Sequence, residues 1–473
     1  MAKTFFFYDI ETSGLNPRSD RIMQFAGIRT DMDLNQIGEP VSEYVKLNDD
    51  TLPSPEAVMV TGITPQQTQD DGYNEAEFSK KVVDEMFTPD TIAVGFNNIR
   101  FDDEFIRHLL WRNFYDSYEW SWKDGRSRWD MLDVVRMTRA LRPEGIKWPV
   151  DEKGVATNRL ELIGKANKID HFKAHDALSD VEALIGVTKL LREKQPQLFD
   201  YLLKMHDKNE IKRLVNLDNK QTFVYVSGRY DSEFNKATVA FPLTAGKNGN
   251  VIVYDLRYNP TNFIGMNQKD LAKNIFASWQ ERQADDFVKL PVKELQYNRA
   301  PAVAPISVLE QGDGWEKIKL KQSTVEKHKK ILLSVPEFAE NIRTIFENRE
   351  EFKKSPDPEA QLYDGFVSDA DRMRVEGVRK ANENELADMH PNFVDERLSP
   401  LLLHYKARNF PKSLSDDEVV TWEKWRSSRV LAGLPVYMNS LQKMASSVTD
   451  ENKQFILQEL HLWAESIMPI DTE

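Results

Sequence analysis

The chain has 473 residues, 40% hydrophobic and 29% charged, with a net charge of −13 and no cysteine. Its length exceeds what one hydrophobic core usually serves, so two or three domains are expected. Several classes are excluded: no apolar run approaches the roughly 20 residues of a membrane span, Phe5–Tyr8 is too short for a signal-peptide core, and disulfides and thiolate metal sites are impossible, which fits a reducing cytoplasm.

Residues 1 to about 200 read as interleaved strands and helices. Strands are predicted at Thr4–Ile10, Met23–Thr30, Glu43–Lys46 and Thr91–Phe96. Helices are predicted at Glu75–Met86, Asp103–Asn113, Met131–Leu141, Leu160–Ala166 and Asp176–Glu193. Such alternation predicts an α/β layer architecture. From about 205 to 310 the runs "TFVYVSGRY", "ATVAFPLTA" and "NVIVYDLRY" alternate with Gly and Asn turns, predicting a small barrel or sheet with one helix near Lys269–Arg282. From Ser323 onward helical periodicity dominates, broken near Pro356, Pro391 and Pro411 and closed by Glu451–Met468.

The first strand carries chemistry. In "KTFFFYDIETSG", Asp9 and Glu11 are two positions apart and therefore share a face. Unpaired buried carboxylates cost several kcal/mol each, so the pair needs Arg or Lys partners or a divalent cation. Mg²⁺ suits such a place, because it prefers a few carboxylates together with phosphate and water.

Two further segments add acids. "NNIRFDDEFIRHLL" places Asp102 and Asp103 at the start of a helix, and "KAHDALSDVEALIGV" places His175 just before another, with Asp180 in its first turns. Asp176 suits the N-cap of that helix. On a helical wheel Asp102 falls in the middle of the apolar face formed by Phe101, Phe105, Ile106, Leu109 and Leu110. Asp103 falls at the edge of that face, where a capping or solvated carboxylate is expected.

Between Trp111 and Trp129 the stretch "WRNFYDSYEWSWKDGRSRW" holds seven aromatics in 19 residues, with Arg112, Lys123, Arg126 and Arg128 among them. Some rings suit the core. Rings alternating with cations also suit single-stranded nucleic acid, whose bases stack and whose phosphates pair. A basic, aromatic patch of this kind is compatible with an acidic chain, since phosphate affinity comes from local Lys and Arg.

Taken in order, Asp-x-Glu, Asp after a mid-domain strand, and His-x-x-x-x-Asp resemble the DEDD-type 3′→5′ exonucleases with a histidine in the third motif, which have a ribonuclease-H-like fold. The resemblance maps their four acids onto Asp9, Glu11, Asp102 and Asp180, as ligands of two Mg²⁺ ions (Mn²⁺ being tolerated), and their histidine onto His175, the base that takes a proton from the attacking water. The aromatic stretch, "SRWDMLDVVRMTRALRPEGIKWP", "AQLYDGFVSDADR" and "LLHYKARNFP" are similar, over nearly the whole chain, to the bacterial exodeoxyribonuclease I family. This implies a DNA-repair and recombination enzyme, cytoplasmic and monomeric, that degrades single-stranded DNA processively from the 3′ end to 5′-mononucleotides.

The same resemblance implies three parts encircling the strand: a ribonuclease-H-like exonuclease domain at 1–200, an SH3-like β-barrel domain at 201–350 and a C-terminal helical domain at 351–473. It implies substrate contacts from Glu11, from Arg159 near the 3′ end, and from Arg107, Tyr118, Trp122 and Arg136. It also implies docking of the acidic tail of the single-stranded-DNA-binding protein, for which Arg142 is a candidate. Two departures stand out: Ile10 and Ser13 replace aromatics found in well-known members. An enzyme trimming RNA and DNA alike, and a non-catalytic DNA-binding scaffold, are the alternatives; the full set of acids argues against the second.

Overall fold

The computed structural model describes residues 2–169, 176–285, 287–350 and 353–469. They fall into two compact units, one drawn from Met1–Arg128, His171–Ile185 and Lys353–Glu473, the other from Trp129–Asp170 and Gly186–Phe352. No described helix is long and apolar enough to cross a membrane.

A five-stranded sheet is built from β1 (Thr4–Thr12), β2 (Ile22–Thr30), β3 (Val41–Tyr44), β4 (Thr91–Gly95) and β5 (Ser127–Asp130), in the order β3-β2-β1-β4-β5. β1 runs antiparallel to β2, with Asp9 opposite Ala26 and Glu11 opposite Gln24, and parallel to β4, with Phe7 opposite Val94. Alternation along β1 sends Phe6, Tyr8 and Ile10 into a core with Phe25, Phe78, Phe87, Phe105 and Leu109. Asp9 and Glu11 stand half-buried on the other face. The pattern of the opening strand is therefore realised, and β1 extends through Thr12.

Most predicted elements recur within a residue or two, and Met131–Leu141 and Leu160–Ala166 match fully. Among the elements missed are β5 and the helices Pro55–Thr61, Pro65–Asp71 and Pro196–Lys204. The first two of these helices are short and open with a hydroxyl N-cap followed by Pro, Ser54-Pro55 and Thr64-Pro65, a start signal stronger than their periodicity. The predicted Glu75–Met86 helix begins on an Asn74–Glu77 capping box and finishes in a π-helical turn, Val82–Met86.

The second unit contains the predicted small sheet, with strands β6 (Phe223–Val226), β7 (Ala237–Ala245), β8 (Val251–Asp255), β9 (Val292–Leu295) and β10 (Val303–Pro305) in the order β10-β6-β7-β8-β9. All its pairings are antiparallel, over a core including Phe223, Val251, Val253 and Leu295. Its one predicted helix, Lys269–Arg282, is shorter in the fold, Gln268–Ile275, with a separate 3-10 turn at Glu281–Gln283, and an additional helix at Lys208–Leu214 supplies Ile211 to that core.

The C-terminal segment is helical, dominated by Leu398–Asn409, Asp416–Ala445 and Glu451–Ser466. It does not stand alone: Trp111 and Phe114 of the first 128 residues share a core with Leu362, Val378, Leu401 and Tyr405. The two departures from the family pattern have structural roles. Ile10 is buried in the sheet core, and buried Ser13 accepts a hydrogen bond from Arg21 N through its hydroxyl at 2.9 Å.

The wheel reading of Asp103 is overturned. Asp102 is buried, as expected, but Asp103 is more so, at 0% exposure against 4%. Its carboxylate accepts from Tyr8, Asn98 and Arg128. A wheel drawn on one helix counts only that helix's apolar residues, and these three donors come from other elements.

Candidate active site

Three elements bring acids to one place. β1 presents Asp9 and Glu11 from the face opposite its aromatic core, and the Ala177–Lys194 helix presents Asp180. One carboxylate oxygen from each of Asp9, Glu11 and Asp180 lies within 4.8 Å of the other two. Asp102 opens the Asp102–Arg112 helix, which follows β4, the parallel neighbour of β1. Its charge acts directly on Asp9.

The electrostatics are those of a cation site. Burial pushes the Asp9 carboxyl well above the usual range, and the charges of Asp102, Glu11 and Asp180 push it further. Glu11 is pushed up to about 8 by burial and then by Asp180 and Asp176. Asp176 precedes the helix and accepts from Ser179 N at 3.3 Å and Ser179 Oγ at 2.9 Å, which holds it as the N-cap. An all-oxygen set of clustered carboxylates suits a hard divalent cation, so Asp9, Glu11 and Asp180, with Asp102 beside them, could hold Mg²⁺ or Mn²⁺. His175 lies outside the described residues.

A second acid-and-histidine cluster of similar size, Asp357, Glu359 and His404, has a different character. Arg21 and Arg408 pair with Glu359, and Arg429 pairs with Asp357. Arginines already occupy the space a cation would take.

The aromatic stretch divides between core and surface. Trp111, Phe114, Trp120 and Trp129 are buried, whereas Trp122 is 63% exposed. Tyr118 lies beneath the Arg107 guanidinium at 5.4 Å, with Tyr363 and Phe366 each 6.4 Å from its ring. Arg107 itself is buried and bound to Glu104 at 2.8 Å. The interleaved cations are mostly engaged in the fold: Arg112 pairs with Glu75 at 2.6 Å, Arg126 donates to the Phe87 carbonyl at 2.7 Å, and Arg128 donates to Asp103. Tyr363 and Phe366 are additions that the sequence alone did not single out, although they sit in the quoted segment "AQLYDGFVSDADR".

The remaining predicted residues lie in the second unit. Arg136 bonds Asp133 at 2.6 Å and packs on Gly228, where any Cβ would lie 2.8 Å from its Nη2. Arg142 donates to the carbonyl of Val308 at 3.2 Å and to Gln311 at 3.3 Å. Arg159, its side chain 71% exposed, pairs with Glu161 at 3.0 Å.

Comparison with known proteins agrees with this arrangement. Residues 6–188 match the family model described as Exonuclease. Fold and acid cluster together define a nuclease of the exonuclease class. Residues 206–348 match the Exonuclease I SH3-like domain and 356–467 the Exonuclease I C-terminal domain. The chain is 38% identical to exodeoxyribonuclease I of Haemophilus influenzae, over 97% of both chains, and 38% identical to that of Escherichia coli, over 98% of both. The crystal structure of E. coli exonuclease I in complex with a dA16 oligonucleotide superposes with a TM-score of 0.95 at 37% identity, covering 98% of this chain and all of that one. The chain belongs to the exonuclease I family.

Proposed function

We propose that this protein is a divalent-metal-dependent 3′→5′ exonuclease that degrades single-stranded DNA processively to 5′-mononucleotides, in DNA repair and recombination. The observation that carries this is the convergence of Asp9, Glu11 and Asp180, with Asp102 acting on Asp9, in a chain alike over nearly its whole length to exodeoxyribonucleases I. Crowded carboxylates that repel one another are tolerable where a cation and a phosphate complete the site.

In this reading Asp9, Glu11, Asp102 and Asp180 hold two Mg²⁺ ions, with Mn²⁺ as a substitute; a complex of E. coli exonuclease I with single-stranded DNA is known in a zinc-bound form. Bound there, such ions supply Lewis-acid stabilisation of the scissile phosphate and an activated water. His175 accepts the proton of the attacking water, as an imidazole near neutral pKa can. Arg159 and Glu11 bind the 3′-terminal nucleotide. Tyr118, the exposed ring of Trp122, Arg107 and Arg136 form the contact surface for the strand, with the Trp122 ring free to stack on a base.

The nuclease, SH3-like and helical parts are assigned to 1–200, 201–350 and 351–473, in a cytoplasmic monomer. A structure of the single-stranded-DNA-binding protein with exonuclease I, 36% identical to this chain, supports a partner of that kind. Its acidic tail docks at a basic site that includes Arg142.

The test is hydrolysis of 3′- and 5′-labelled single-stranded DNA with Mg²⁺ or with EDTA, alongside the matched RNA. Release of the 3′ label first, only with metal and only from DNA, is expected. Activity in EDTA or from the 5′ end excludes the reading, and equal RNA cleavage assigns the protein to the less discriminating trimming enzymes.

A further inference from the structure

Tyr8 and Asp103 each stand one residue from an acid of the site. Tyr8 precedes Asp9 on β1, and Asp103 follows Asp102 in the helix. Strand alternation sends Tyr8 to the face opposite Asp9, where its ring packs against Phe25 and Phe87. From there its hydroxyl donates to Asp103 Oδ1. The same oxygen accepts from Asn98 Nδ2 at 3.2 Å, and Arg128 Nη1 donates to Oδ2.

One fully buried carboxylate thus gathers β1, the turn after β4, β5 and its own helix. The turn comes this close because residue 95 is glycine: a Cβ there would lie 2.5 Å from that of Asn98. An apolar cluster would fill the same space without the desolvation cost of a charge. What it would lack is direction. Hydrogen bonds to both oxygens fix the distance and rotation of the helix start against the strand.

We propose that Asp103 is a positioning residue: by accepting from Tyr8, Asn98 and Arg128 it sets the separation of Asp9 on β1 from Asp102 on the helix, and so the affinity of the acid site for a divalent cation. This rests on the reading of those acids as metal ligands.

The experiment uses the full-length protein and measures Mn²⁺ binding by isothermal titration without DNA, single-stranded-DNA binding in EDTA, and thermal melting. Tyr8→Phe keeps the core ring and removes only the hydroxyl. Mn²⁺ affinity should fall about 10–100-fold, the range seen when partners of metal ligands are removed. DNA affinity should change less than twofold, and kcat should recover at raised Mn²⁺. Should Tyr8→Phe fail to fold, Arg128→Lys tests the other oxygen, with the same loss expected. Wild-type Mn²⁺ affinity in a folded variant, with or without a lower Tm, overturns the proposal and leaves Asp103 a stabilising group only. A parent protein that binds no Mn²⁺, or an Asp9→Asn variant that still binds it, overturns instead the metal-ligand reading beneath it.

Discussion

Arg21 and Glu359, 338 residues apart in the chain, meet in a buried ion pair of 2.7 Å. They belong to a larger buried network. Arg408 and His404 also close on Glu359, and Asp50 receives Arg408 at 2.8 Å and Arg429 at 3.4 Å. Burial pushes the Glu359 carboxyl up, but Arg408 and Arg21 outweigh it and hold it well below the usual range. The network joins residues of the Exonuclease match to residues of the C-terminal match within one compact unit.

Arg21→Met should therefore be costly, because it removes one cation and leaves the carboxylates around it partly uncompensated. Breaking a buried pair from one side typically costs about 3–5 kcal/mol. A fall in Tm of several degrees is expected in calorimetry, with activity per folded molecule retained. A Tm within a degree of the parent refutes the account.

The adjacent acids Asp102 and Asp103 should behave differently. Asp102→Asn is expected to abolish hydrolysis while leaving Tm near the parent's. Asp103→Asn removes the charge that faces Arg128 in a fully buried place, at a cost of about 3 kcal/mol. Its melting temperature, not only its activity, must fall. An unshifted Tm for Asp103→Asn, or full hydrolysis by Asp102→Asn, contradicts these roles.

Glu11 makes stability depend on pH in the metal-free protein. Its carboxyl titrates at about 8 in the fold against 4.5 for an ordinary glutamate. The folded state therefore holds the proton more tightly, and its contribution is full below about 4.5 and is lost as pH rises through about 8. Glu11→Gln should melt a few degrees above the parent at pH 8.5 in EDTA, and at the same temperature at pH 4.5. Added Mg²⁺ should raise the Tm of the parent more than that of the variant, by preferential binding to the fold. An equal Mg²⁺ response in both proteins argues against Glu11 as a ligand.

His175→Ala should fold and bind single-stranded DNA as the parent does, with turnover lower by about 10²–10⁴-fold, the usual contribution of a general base. Single-turnover hydrolysis with saturating metal measures this. Near-parental turnover shows that the histidine is only part of a loop.

Two tryptophans two residues apart should separate surface from core. Trp122→Ala removes an exposed ring and should weaken single-stranded-DNA binding by about 1–3 kcal/mol without moving Tm. Trp120 is buried with its ring 4.6 Å from that of Phe87, so Trp120→Ala should cost about 3–5 kcal/mol of stability. Anisotropy with labelled oligonucleotide and thermal melting distinguish them, and the opposite assignment of effects is the refuting result.

By itself the sequence determined the acid-bearing strand, most of the strands and helices of the first 200 residues, and three acids, Asp9, Glu11 and Asp180, that meet in one cluster. These rest on local rules: period-two alternation puts Asp9 and Glu11 on one face, and apolar periodicity places the helices that carry Asp102 and Asp180. Only the tertiary structure decided what surrounds them. Asp103 looked peripheral on its own helix, yet it is buried because Tyr8, Asn98 and Arg128 reach it from positions 95, 5 and 25 residues away. Arg112 looked like a cation placed among aromatics for DNA, yet Glu75, 37 residues away, takes it into the core. A carboxylate or a guanidinium has no periodic signature of its own. Whether it is solvated, paired or gathered into a site depends on partners distant in the chain, and only the folded structure brings those partners within hydrogen-bonding distance.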